Sequence, residues 1–245
     1  MGQIKKGLIR GTVGEVVFKD MNGKQVLSTK PRFMRQTSAA KLHQVGFGKV
    51  SAVAGSLRSQ LANLNNGFED STMGNRLTHE LYQCIKSSFD LQTGNYVFEE
   101  DSFDGLSNFS FNTSSTVRLS LMVKPAVLIE AGILKITFPS FQVLSKITFP
   151  KRASMCEIYV AVSIFNLRTG MMVGMLKGDK FKIEKDQGLF EGKIMEFEAP
   201  EDCLFIISLF NYFYYSFHSY PTLMNNKTFH PCGIYKAVFN PGELK

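Results

Sequence analysis

Tryptophan is missing from this chain, and histidine and cysteine occur four times each. Imidazole chemistry is limited to His43, His79, His218 and His230, none of them in an H-E-x-x-H helix, and no G-x-S-x-G nucleophile elbow is present. Cys84, Cys156, Cys203 and Cys232 lie far apart and form no C-x-x-C pair. That spacing argues against a zinc ribbon or a redox motif and predicts reduced, partly buried thiols. His218, His230 and Cys232 lack the tight spacing of a metal site, and a turn with a buried thiol accounts for them better, so no metal and no cofactor is expected. Gly2 and Gly7 have the spacing of a phosphate loop, yet Leu8 and Ile9 stand where its Lys and Ser/Thr are needed.

Long apolar runs are missing too. No stretch of about 18 uncharged apolar residues occurs, so no membrane span is expected. "MGQIKKGLIRGTVG" lacks an apolar h-region, and Lys6 occupies the position where a myristoylation signal needs Ser or Thr. The expectation is a protein cytoplasmic at synthesis, in which the Asn-x-Ser/Thr triplets at Asn108, Asn112 and Asn226 carry no meaning. Acidic residues are scarce at the start: residues 1 to 60 hold eleven Lys or Arg against Glu15 and Asp20, while the whole chain is +7. A segment of about +9 is therefore joined to a remainder of about −2.

Apolar residues make up 44% of the 245, enough for a sizeable core, and 22 Phe with many Val, Ile and Thr lean toward sheet. "EVVFKDM" and "KQVLSTK" flank Asn22-Gly23, a pair favoured in two-residue hairpin turns. The spacing predicts a hairpin with Phe18 opposite Leu27 and Val16 opposite Thr29 on one face, Lys19 and Val26 on the other, ended by Pro31. A lone hairpin is marginal in water, so this one must rest on something. Thr37 is the expected N-cap of a long helix whose Phe47, Val50, Ala54, Leu57, Leu61 and Leu64 recur at spacings of three and four. Gly46, Gly48 and Gly55 within it either weaken the helix or mark close packing. A second helix is expected from about Asn75 to Ser88, with Leu77, Leu81, Cys84 and Ile85 on one face.

Beyond Phe89 the period becomes two, and segments from "VRLSLMVK" through "KITFPKR" to "GIYKAVFN" read as short strands between turn signals. "KITFP" occurs at both Lys135 and Lys146, which reads as a reused strand ending. The expected fold is mainly β, α+β overall. A basic arm and β-hairpin fill residues 1–36, two helices residues 37–90, and an antiparallel Ig-like β-sandwich residues 91–245.

Gly11, Gly14, Val16, Val17, Gly23, Pro31, Thr37 and Phe47 form a pattern: a glycine-led G-x-x-G-x-V-V, a strand with a Gly turn, a Pro, then Thr opening a helix with Phe ten residues on. On these positions and on "RASMCEIYVAVSIFNLRTG" the chain resembles an uncharacterised Bacteroidota family, a domain of unknown function in which such a hairpin and helix precede a β-sandwich-like half. The resemblance covers most of the chain and implies that architecture and a bacterial or phage-related origin. It brings no catalytic residue. Ala40, His43 and Gln44 depart from it, standing where family members tend to carry Gln and then Arg.

Three groups of residues stand out. The assembly arm comprises Lys5, Lys6, Arg10, Val16, Phe18, Lys19, Lys30, Arg32 and Arg35. Glu99, Glu100, Asp101 and Asp104 are the densest acidic cluster, without the alternating oxygen ligands of an EF-hand, and are its candidate acceptor. "FNYFYYSFHSY" places Tyr212 and Tyr214 on one strand face and Tyr215 and Phe217 on the other, as a central strand or an aromatic interface. No Lys or Arg lies between Lys193 and Lys227, which disfavours a nucleic-acid stacking platform there. The expected function is non-enzymatic: a structural subunit that self-assembles into a filament, ring or phage- or virion-like lattice through the basic hairpin, its partner being itself. The alternative is a nucleic-acid-binding module using the same arm, which carries enough charge for salt-sensitive binding but no reader motif. A carbohydrate-binding or hydrolytic sandwich is the weakest alternative, since no carboxylate pair can be placed.

Overall fold

The computed structural model describes residues 3–5, 7–21, 23–30, 38–90, 92–93, 95–167, 171–172, 176–217 and 220–241, without the side chains of residues 5, 38–47, 49, 171–172 and 216–217. Pro31, Thr37 and the Phe47 side chain lie outside them. Two compact units divide the chain, residues 1–42 and 43–245.

In the first unit β1 (Gln3–Lys5), β2 (Leu8–Val13), β3 (Val16–Met21) and β4 (Lys24–Thr29) form an antiparallel meander in that order. The β3–β4 register pairs Phe18 with Leu27, Val16 with Thr29 and Lys19 with Val26, as the alternation predicts. β1 and β2 were not expected. All three connections are two-residue turns, and each holds a glycine at positive φ: Gly7 at 77°, Gly14 at 59° and Gly23 at 79°. Only glycine occupies this region without steric cost, so the glycine spacing marks three turns rather than one.

The second unit carries α1 (Ser38–Asn65) from residue 43 on, then α2 (Met73–Ser87), α3 (Val117–Ser120), β5 (Ala126–Glu130), β6 (Ile133–Phe138), β7 (Phe141–Gln142) and α4 (Val143–Lys146). After these come β8 (Met155–Asn166), β9 (Met171–Met172), β10 (Lys177–Glu184), β11 (Leu189–Phe190) and β12 (Lys193–Glu198), then β13 (Cys203–Phe217), β14 (Tyr220–Leu223) and β15 (Cys232–Asn240). A six-stranded sheet is built on the path β10-β8-β13-β14, with β15 also on β13 and β9 on β8; β12-β6-β5 form a second antiparallel sheet.

β13 explains the long apolar run of the sequence, because both of its faces are covered. Leu204, Ile206 and Phe210 share a core with Val50, Ala54, Leu57 and Leu61 of α1 and Leu77 and Leu81 of α2. Phe205, Ile207, Leu209 and Phe213, one residue out of phase, share a second core with Leu134, Ile136, Phe138 and Met195 of the smaller sheet. The helical stripes are those the three-and-four spacing predicts. The molecule is thus mainly β with helices: an N-terminal four-stranded sheet, two helices, then antiparallel sheets.

"VRLSLMVK" and "KITFPKR" are not the strands expected. The stretch before Ile147 and the stretch before Leu121 each close one helical turn, α4 and α3, and the two meet only at the isolated bridge between Leu121 and Ile147. Alternation would turn Leu119 inward with Val117 and Leu121, and Ser145 inward with Val143 and Ile147, whereas a helical turn brings each outer pair to the core side and leaves Leu119 and Ser145 exposed. The two "KITFP" copies differ accordingly: the first lies in β6, and the lysine of the second ends α4.

Candidate functional site

The N-terminal sheet has two unlike faces. Residues paired directly across strands share a face, so Val13, Val16, Phe18 and Leu27 form one apolar surface. Thr12, Val17 and Ser28 lie on the opposite face, as do Lys19 with Val26 and Met21 with Lys24. None of the described residues of this sheet is buried: Val13 is 53% exposed and Leu27 60%. Neither core cluster contains a residue from it.

Of the arm residues, Val16 and Phe18 stand on the apolar face and Lys19 on the basic one. Arg10, on β2, is ion-paired with Asp20. That pairing, together with the Gly23 amide, holds the half-buried Asp20 carboxyl below its usual value. Lys5 lies on β1 opposite Leu8, and the Lys30 amide donates to the Glu15 carbonyl at 2.7 Å. Lys6, Arg32 and Arg35 lie outside the described residues. Gln25 reaches back to β2, accepting from the Ile9 amide (2.8 Å) and donating to its carbonyl (2.7 Å), a side-chain clasp that alternation alone does not announce.

The acidic cluster is brought together. Glu99, Glu100, Asp101 and Asp104 line one open concavity of about 400 Å³ with Lys236 and Val238 of β15. Backbone turns set it: the Ser102 amide donates to the Glu99 carbonyl, the Asp104 amide to that of Asp101, and the Phe239 amide ties the Glu100 carbonyl to β15. Among the described residues none of the four carboxylates is ion-paired, and no group of three or more His, Cys, Asp or Glu side chains could hold a metal ion.

The aromatic residues of β13 divide by depth. Tyr212 is buried with its hydroxyl donating to the Leu64 carbonyl at 2.7 Å, and burial first of all raises its pKa. Tyr214 and Tyr215 are half-buried, Tyr214 packing beside the helix-facing core; Phe217 ends the strand. His230 is buried against Phe68, Phe210 and Tyr212. Asn225 Nδ2 donates to its Nδ1 at 2.9 Å, which leaves the buried Nε2 to carry the ring proton. All four cysteines are unpaired and buried, and burial raises each thiol.

Comparison with family models, with curated proteins and with solved structures finds no match to this chain. The Bacteroidota resemblance therefore rests on its sequence positions alone.

Proposed function

We propose that the protein is a non-enzymatic structural subunit that assembles with copies of itself through its N-terminal sheet. The observation that carries this reading is a four-stranded sheet with an apolar face of Val13, Val16, Phe18 and Leu27 and no buried residue among those described. Such a face is stabilised by whatever covers it, and exposed apolar patches of this kind mark interaction surfaces. The acceptor is the carboxylate-lined concavity of a neighbouring copy, which receives the basic residues at the rim of the sheet. In this reading the layered β part is an Ig-like sandwich serving as the rigid body, and head-to-tail repetition yields a filament, ring or lattice of a bacterial or phage particle.

Sedimentation of the nuclease-treated full chain against a chain lacking residues 1–35 tests it. The full chain is expected to form large species that the truncated chain does not; truncated oligomers of the same size would remove the sheet from the assembly. Reversing the charge of Glu99, Glu100, Asp101 and Asp104 is expected to weaken assembly similarly, and undiminished assembly would place the acceptor elsewhere. The second reading, nucleic-acid binding, is favoured by the face bearing Lys19 and Lys24, on which the residues paired in register include no carboxylate. Retention of salt-releasable nucleic acid by a monodisperse monomer would support it instead.

A further inference from the structure

The single turns α3 and α4 flank the antiparallel Leu121–Ile147 bridge of the second unit, one at each end, and this corner of the surface is called the tip. The Met122 amide donates to the Lys146 carbonyl at 2.8 Å and the Thr148 amide to the Ser120 carbonyl at 2.9 Å, on either side of the Leu121–Ile147 bridge. That short ladder sends Leu121 and Ile147 into the core and leaves Met122 beside Lys146 outside. The Val143 amide donates to the Gly188 carbonyl and Gln142 pairs with Leu189, which ties the Leu189 turn to the start of α4. The outward residues are aliphatic: Leu119 is 72% exposed, Leu144 66%, Met122 51% and Leu189 48%. The core does not need them, since Val143, Ile147 and Leu121 are buried in their place.

The charge along α3, α4 and the segments that follow them has one sign. Arg118, Lys124, Lys146, Lys151 and Arg152 are all exposed, and Glu130 is the one acidic residue from 105 to 156. Asp186 and Glu191 border the Leu189 turn, so the cationic side is that of α3 and α4.

We infer that this tip docks on the surface of an anionic lipid bilayer, its aliphatic side chains entering the interfacial layer and its lysines and arginines lying at the headgroups. A fluid apolar layer adapts to leucines so exposed. Anionic headgroups complement the surrounding cations, and the cationic N-terminal sheet of a second copy is repelled by them. Among the described residues no helix is long and apolar enough to cross a membrane. The inference is independent of the assembly reading.

Co-sedimentation of the full chain with vesicles of phosphatidylcholine mixed with phosphatidylglycerol, and with phosphatidylcholine alone, tests it. Binding to the mixed vesicles only is expected, with a loss of about tenfold or more in Leu119→Asp/Leu144→Asp. Leu119→Ser/Leu144→Ser, milder at such exposed positions, should show a smaller loss, and Lys146→Glu a loss relieved by salt. Because the N-terminal sheet is also cationic, leucine variants that fold and still bind like the parent would overturn the proposal. So would a parent that ignores anionic vesicles, or leucine variants whose sedimentation changes without lipid, which would make the tip a protein contact.

Discussion

His230 shows how one buried side chain sets a pH dependence. Burial lowers its pKa from the ordinary value near 6.5 to about 4, with the Leu64 carbonyl pulling weakly the other way. The folded state therefore prefers the neutral ring. Above pH 6.5 both states are neutral and the full stability is present; between 6.5 and about 4 only the unfolded chain takes up the proton, and stability falls. The loss approaches roughly 3 kcal/mol at the acid end. Asp70 adds to it at still lower pH. Burial raises this carboxyl, but hydrogen bonds from Thr72, Arg76 and Thr113 outweigh that and hold it low, so its contribution is lost as the pH falls below the usual Asp range. Denaturant midpoints measured from pH 7 to 4 are expected to drop steadily, and His230→Asn should flatten that drop while lowering stability at pH 7. An unchanged slope in the variant would assign the acid sensitivity to other groups.

At the scale of elements, glycines that look alike in the sequence separate in the structure. A Cβ at Gly48 or Gly55 in α1 would meet nothing within 4 Å, so these positions are not close approaches and only weaken the helix. Gly55→Ala is expected to stabilise the protein by up to about 1 kcal/mol, seen as a melting temperature higher by about 2–4 °C. Gly233 in β15 is the opposite case: its Cβ would lie 2.3 Å from the Phe109 carbonyl, which also accepts the Ile234 amide at 2.7 Å. Gly233→Ala must push the 107–112 segment off the strand, and a loss of about 1–3 kcal/mol is expected in the same melts. The amphipathic stripes of α1 and α2 were legible because burial on one side of a helix repeats every three or four residues. The turns α3 and α4 were not, because a single turn has no period to read.

Across the whole molecule, the two units differ in what stabilises them. Both cores lie entirely in the second, so calorimetry of a chain lacking residues 1–35 should show its unfolding transition intact even where assembly is lost. The sequence alone determined the mainly β character, the β3–β4 register, both long helices and the concentration of basic charge at the start, because each depends on neighbours within a few residues. Tertiary structure decided the rest. It decided that β13 is covered by helices on one face and by a sheet on the other, and that four carboxylates from one loop meet Lys236 of β15. It also decided that Leu119, Met122, Leu144 and Leu189 stay outside the core that takes Leu121, Val143 and Ile147. These depend on pairings between residues far apart in the chain, which no local period records.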